Sequence, residues 1–229
     1  MTTRIGLIVP CDLTLDREYW DLVPRDVTVH ITRTGFHDGG LDLAFVRGVA
    51  DLDEVAYATR SLSKIDPAVI AFACTSGSFV DGLAGEQALR ETMLRNGARE
   101  AVTTSGALIE ALSELGVHRV GLGTPYVAEI GDRLPTFVAE AGFEPVSAAH
   151  LALPDVVHEM TDDAVRELGR AAFAPAAEAV FLACTGVPTV HLLAELRDEL
   201  GVPVLSANQV TMWAALRRAG MATRELATA

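Results

Sequence analysis

Val69-Ile70-Ala71-Phe72-Ala73-Cys74-Thr75-Ser76 and Ala179-Val180-Phe181-Leu182-Ala183-Cys184-Thr185-Gly186 are the two stretches whose reading decides the fold. Each is a short, wholly apolar run that ends in Ala-Cys-Thr. An unbroken apolar run of this length, followed by small polar residues, reads as a strand buried on both faces. Working outward, a second pair appears. Arg4-Ile5-Gly6-Leu7 leads to Pro10, and Arg119-Val120-Gly121-Leu122 leads to Pro125. A weaker third pair is Val102-Thr103-Thr104-Ser105 and Val204-Leu205-Ser206-Ala207, each entering a helix. The motifs recur in one order at nearly one separation, which is the mark of an internal duplication.

The expected fold is therefore α/β, with two similar parallel-sheet halves related by a pseudo-two-fold axis and the active site in the cleft between them. Residues 1–102 plus 208–229 would form the half carrying Cys74, and residues 103–207 the half carrying Cys184. Strands are expected at Ile5–Val9, Val27–Ile31, Ala68–Ala73, Ala101–Thr103, Val120–Gly123, Glu144–Ala148, Ala179–Ala183 and Val202–Leu205. The 3.6-residue periodicity places helices near Leu41–Ser63, Gly85–Asn96, Ser105–Leu115, Val127–Ala141, Asp162–Ala174, Val190–Leu200 and Asn208–Arg218. Gly97, Gly116, Gly142, Gly201 and Gly220 stand just past helix ends, where a left-handed cap suits glycine. Ligands in open parallel sheets bind at the C-terminal strand ends, so the two Cys-Thr turns would face each other across the cleft.

The composition narrows the function. Of 229 residues, half are apolar and 21% are charged, which suits a well-packed globular chain. A formal net charge of −13 leaves no basic patch for nucleic acid and disfavours anionic membranes. The start, Met1-Thr2-Thr3-Arg4-Ile5, lacks a signal-peptide layout, so a cytoplasmic location is expected, with the cysteines as free thiols. Lys64 is the single lysine. It reads as a solvated cation at a helix end, so Schiff-base chemistry is not expected. His30, His37, His118, His150, His158 and His191 show no metal-ligand spacing, and no nucleophile elbow or dinucleotide fingerprint occurs. No metal or organic cofactor is expected. The expected partner is a small carboxylate substrate, and self-association is left open.

Two facing thiols suggest a chemistry. A thiol at a strand end, followed by Thr and a helix start, is surrounded by N–H groups and a positive dipole end that favour the thiolate. Those groups, with the hydroxyls of Thr75, Ser76, Ser78 and Thr185, would also hold a substrate carboxylate. They would stabilise the enediolate formed when the adjacent carbon loses a proton or CO₂. With one thiolate on each face of that carbon, one group takes a proton and the other returns one. Alternatively a thiolate adds to a double bond, allowing rotation. A lone cysteine after an apolar strand is ordinarily a small buried hydrophobe, but packing does not explain two at matching places in a repeat. Cys11, after Pro10, reads as pocket wall, and Tyr126, after Pro125, reads as a phenolic donor or a half-buried aromatic. Thr104 and Ser105 read as a helix cap, and Thr124 as cap or donor. Asp12 reads as a solvated acid, with orientation of a thiol or amino group as the alternative.

The paired Cys-Thr turns, the Ile5–Pro10 opening and the Gly123-Thr124-Pro125-Tyr126 segment resemble the aspartate/glutamate racemase superfamily over essentially the whole chain. The similarity is greatest to the branch holding maleate cis-trans isomerase, arylmalonate decarboxylase and the racemase-like proteins of ectoine utilisation. The resemblance implies a cofactor-independent isomerase, either a racemase or a maleate-type cis-trans isomerase, acting on a small carboxylic acid through Cys74 and Cys184. The alternative it implies is an arylmalonate-type decarboxylase that uses Cys184 and an enediolate. It further implies that Thr75, Ser76, Thr185 and Gly186 hold a carboxylate and that Tyr126 donates to it. Pro10 and Cys11 would line the pocket, and Val156 and Met160 would lie in a covering loop. Arylmalonate decarboxylases have glycine at the position of Cys74. Maleate isomerases carry an asparagine after the first strand, where this chain has Cys11-Asp12-Leu13-Thr14. The first departure speaks for two-thiol chemistry, and the second leaves the substrate open.

Overall fold

The computed structural model describes residues 2–37, 40–153, 159–223 and 226. In chain order, the first run of elements is β1 (Thr3–Val9), α1 (Asp16–Asp21), β2 (Val27–Arg33), α2 (Leu43–Val49), α3 (Leu52–Ser63), β3 (Val69–Phe72), α4 (Thr75–Phe79), α5 (Gly82–Arg95), β4 (Ala101–Thr103) and α6 (Thr104–Leu115). The second is β5 (Arg119–Thr124), α7 (Ala128–Gly131), α8 (Arg133–Glu140), β6 (Glu144–His150), α9 (Asp162–Ala172), β7 (Ala179–Leu182), α10 (Leu193–Leu200), β8 (Val204–Ser206) and α11 (Ala207–Arg218). A 3-10 turn at Val190–Leu192 precedes α10.

Two four-stranded parallel sheets result, ordered β2-β1-β3-β4 and β6-β5-β7-β8. The orders are identical once the halves are matched, and the match extends to single hydrogen bonds. Ala73 N–H donates to the Ile8 carbonyl and Ala183 N–H to the Gly123 carbonyl, each at 2.8 Å. Thr103 caps α6 by accepting from Gly106 N–H, and Ser206 caps α11 by accepting from Gln209 N–H. The structural partner of Thr103 is therefore Ser206, one residue along from the pairing that the motif suggests. The cap is Thr103, not Thr104 or Ser105, which lie inside the first turn of α6.

The central strands β1, β3, β5 and β7 are buried along almost their whole lengths, as their unbroken apolar runs require. Gly121 allows the closest approach: a β-carbon there would collide with the Ala172 carbonyl at the end of α9. The five expected capping glycines all have positive φ, from 67° at Gly116 to 106° at Gly97.

Three expected helices are broken. Leu41–Ser63 divides into α2 and α3, because Asp51 turns its carboxylate onto the Asp53 and Glu54 amides and starts a new helix. Val127–Ala141 divides at Asp132. Val190–Leu200 begins as the 3-10 turn. Two short helices, α1 and α4, carry too little periodicity to be read from sequence. Among the described residues, no helix is long and apolar enough to cross a membrane.

Candidate active site

The C-terminal ends of β1, β3, β5 and β7 open onto one cavity of about 480 Å³. Cys74 and Cys184 both line it, with Pro10, Cys11, Thr75, Ser76, Tyr126, Thr185 and Gly186. Of the other expected site residues, Met160 is buried but is not part of this lining, and Val156 lies outside the described residues. Lys64 is the exposed C-cap of α3 and is not among the lining residues.

The two thiols are held differently. Cys74 is itself the N-cap of α4, and its Sγ accepts from Gly77 N–H at 3.4 Å, with Ser76 Oγ at 3.9 Å. Its backbone is extended, at φ −140°. Cys184 stands at φ +89°, a left-handed conformation rare outside glycine. Its Sγ accepts from Gly186 N–H at 3.4 Å. The expected helix start at Cys184 is absent. Residues 185–187 form a turn, and Pro188, with no N–H, delays helical structure until Val190.

The thiols are also not the low-pKa groups that the sequence suggests. Burial pushes Cys74 up to about 12 and Cys184 up to about 11, against an ordinary value near 9. Gly77 N–H and Ser76 oppose the rise at Cys74, and Gly186 N–H and the Tyr126 phenol oppose it at Cys184. The negative charge of Asp12 adds to the rise at both. Helix α4 spans only five residues and no helix follows Cys184. Little dipole is therefore available to offset the desolvation of a thiolate in an apolar pocket.

Around the thiols lie hydroxyl donors. The Tyr126 side chain is 1% exposed, and its hydroxyl lies between Cys184, to which it donates, and Ser76. Thr75 Oγ1 is buried with no protein partner among the described residues, so this donor is available to a ligand. Ser78 does not serve the pocket. It pairs with Ser105 at 2.7 Å, one of the two hydroxyls donating to the other, and the pair lies against the Thr75 carbonyl, which accepts from it. Thr124 bonds His150 at 3.0 Å, and Thr104 bonds Thr211 at 2.9 Å.

Much of the remaining wall is apolar, from Leu13, Leu41, Phe45, Val46 and Val49 with Phe36 at the rim, and Asp12, Thr14 and His37 add polar groups. Among the described residues, neither lysine nor arginine lines the cavity. Arg33 instead ties down the loop after β1, donating to the Leu13 carbonyl at 2.6 Å and to the Pro10 carbonyl at 3.4 Å. No group of three or more His, Cys, Asp or Glu able to hold a metal occurs among the described residues.

Sequence reasoning misses three residues here. Tyr19 is fully buried, and burial followed by the nearby charges of Cys74 and Glu18 raises its pKa well above 10. Its hydroxyl approaches Thr185 without reaching good hydrogen-bond geometry. Glu18 and Asn208 meet at the Cys184 turn. Nothing marks them beforehand, because α1 has no motif and the contacts join distant parts of the chain.

Comparison with known proteins agrees with this architecture. The chain is 32% identical to arylmalonate decarboxylase of Bordetella bronchiseptica, covering 96% of this chain and 91% of that protein. It is 28% identical to maleate isomerase of Geobacillus stearothermophilus, covering 96% and 93%. A liganded crystal structure of arylmalonate decarboxylase, with one glycine changed to cysteine and one cysteine to serine, superposes with a TM-score of 0.89. It has 29% identity and covers 99% of this chain and 97% of that one. The family model described as arylmalonate decarboxylase matches residues 5–229. The relatives are enzymes, and so is this chain: it belongs to the arylmalonate decarboxylase family.

Proposed function

We propose that this enzyme is a cofactor-independent isomerase, a racemase or cis-trans isomerase of a small carboxylic acid, acting through Cys74 and Cys184. The observation that carries the reading is that both thiols line one cavity beside an unpartnered, buried Thr75 hydroxyl. The carboxylate sits against Thr75, Ser76, Tyr126 and the Thr185-Gly186 turn. Among the described lining residues no lysine or arginine is placed to meet a second carboxylate, the basic side chain there being His37, whose buried Nε2 has no protein partner, and the charge of Asp12 reaches both thiols. A monocarboxylate with an apolar body fits this wall. Residues 1–102 plus 208–229 and residues 103–207 are the proposed halves, each supplying one thiol.

Of the two thiols, we take Cys184 as the first to ionise, because its pKa is raised less than that of Cys74. In the racemase form its thiolate takes the proton from the carbon next to the carboxylate. The electron pair moves onto the carboxylate oxygens as an enediolate, where the hydroxyl donors stabilise it. The Cys74 thiol then gives its proton to the opposite face and is left as thiolate. The reverse direction runs through the same steps with the roles exchanged. In the cis-trans form a thiolate adds to one end of the double bond. The resulting single bond rotates, and the thiolate leaves again.

A second reading is a decarboxylase, and the 32% identity to arylmalonate decarboxylase favours it. There CO₂ leaves, its bonding pair becomes the enediolate, and the neutral Cys184 thiol protonates the carbon. Water then returns a proton to sulfur. A thiol held neutral by burial suits that role.

The deciding experiment is incubation in heavy water with a panel of aryl- and alkyl-substituted acetates, unsaturated acids and malonates, followed by NMR. Deuterium entering next to the carboxylate, with loss of optical purity, or cis-trans interconversion supports the isomerase. Loss of CO₂ from malonates alone, unaffected by Cys74→Gly, rejects the two-thiol mechanism.

A further inference from the structure

We propose that Glu18 is a positioning residue: through Asn208 it holds the Cys184 turn in its left-handed conformation and so sets the reactivity of that thiol. This inference rests on the proposed role of Cys184 as a reacting group.

The network is short and well made. Glu18 Oε1 accepts from Thr189 N–H at 2.8 Å and from Val190 N–H at 3.1 Å. Its Oε2 accepts from Asn208 Nδ2 at 2.7 Å. The same Nδ2 donates to the Thr185 carbonyl at 3.1 Å. Both neighbours of that amide are acceptors, so the orientation of Asn208 is determined: a flip would set oxygen against oxygen on both sides. The turn that follows Cys184 is thus held at Thr185 by the Asn208 amide and at Thr189–Val190 by the Glu18 carboxylate, with the Asn208–Glu18 bond joining the two.

The pseudo-symmetry sharpens the contrast. Asn208 is the second residue of α11, and Ser105 is the second residue of α6. The Ser105–Ser78 pair donates to the Thr75 carbonyl, and Asn208 donates to the Thr185 carbonyl, its counterpart. At Cys74 the backbone is extended, and the supporting groups are two neutral hydroxyls, Ser78 from α4 and Ser105 from α6. At Cys184 the backbone is strained at φ +89°, and a charged side chain reaches in from α1, near the start of the chain. A strained residue keeps its conformation only where the surroundings over-determine it. Here the Ala183 N–H bond to Gly123 fixes the entry to the turn, the Val187 N–H bond to the Cys184 carbonyl closes it, and the three hydrogen bonds of Glu18 anchor its far side. The strain aims Sγ at Gly186 N–H and the Tyr126 phenol, the donors that favour its thiolate. Release lets the backbone relax toward an extended form and swings sulfur away from them.

Glu18→Gln tests this directly. The volume is kept, but whichever way the new amide turns, an NH₂ faces either the Thr189 and Val190 N–H groups or the Asn208 amide. Asn208→Ala is the second variant, removing the donor to both Glu18 and Thr185. The readout is iodoacetamide alkylation of each cysteine, resolved by peptide mass spectrometry across pH, in variants that keep the parent circular dichroism. It requires no substrate, so it stands even if the isomerase reading fails. The Cys184 profile is expected to move to higher pH, with about a tenfold lower rate at a given pH, while the Cys74 profile stays in place. A Cys184 profile that is unchanged, moves down, or moves in step with Cys74 in both variants overturns the inference.

Discussion

Replacing Tyr126 by phenylalanine removes one hydroxyl from the centre of the pocket and leaves the ring. The ring is 1% exposed and packs on Phe79 at a centroid distance of 6.1 Å, so the packing term is preserved. Removing the hydroxyl leaves Ser76 without one partner, although Cys74 Sγ is still 3.9 Å away. A neutral buried hydrogen bond contributes about 1 kcal/mol, so the variant should unfold only slightly more easily than the parent. Catalysis should respond more strongly. The phenol donates to Cys184 and, in the proposed reaction, also to the substrate carboxylate as it gathers negative charge. Donors to developing charge contribute about 3 kcal/mol, roughly a hundredfold in rate. Because the charge is greatest in the transition state, turnover should fall by that factor with little change in the Michaelis constant. The pH profile should move as well. Parent activity rises with pH as the Cys184 thiol, held at about 11, ionises. Loss of the donor pushes that ionisation higher, so the variant's profile is displaced upward. The assay is steady-state kinetics across pH on the substrate identified by deuterium exchange. An unchanged turnover number, Michaelis constant and profile would show that Tyr126 merely packs.

Three further outcomes are expected. Cys74→Ser and Cys184→Ser should each lower turnover by about a hundredfold or more while staying folded, and near-parent activity in either would exclude two-thiol catalysis. Because both folded-state thiol pKa values lie above the unfolded value near 9, their stabilising contribution is full below pH 9 and is lost as pH rises toward 11 and 12. At pH 10.5 that loss is about 2 kcal/mol per thiol. Urea unfolding at pH 8 and 10.5 should show it, with a smaller loss in Cys74→Ser; equal losses in parent and variant would contradict the burial argument. Gly121→Ala drives a β-carbon into the Ala172 carbonyl, a backbone atom that cannot step aside. It should destabilise by about 4 kcal/mol or more, read as a lowered unfolding midpoint, and a parent-like midpoint would refute the close approach.

The strands were legible because β1, β3, β5 and β7 are buried on both faces, and continuous apolar runs such as Val69–Phe72 and Ala179–Leu182 have few other uses. The duplication was legible because each half must place the same residue types at the same strand ends. With it came the meeting of Cys74, Cys184 and Tyr126 at one cavity, since matched strand ends in matched sheets open onto the same cleft. Glycines past helix ends announced themselves through the one backbone conformation they adopt freely. What only the tertiary structure decided is the environment. The ionisation of the thiols follows from burial in an apolar pocket, which local sequence does not encode, and it reversed the expectation drawn from the turn motifs. The left-handed Cys184 depends on Pro188 denying a helix locally and on Glu18 and Asn208 arriving from opposite ends of the chain. Periodicity reports which face of an element is buried; it cannot report which distant carboxylate will meet an exposed amide once the halves close together.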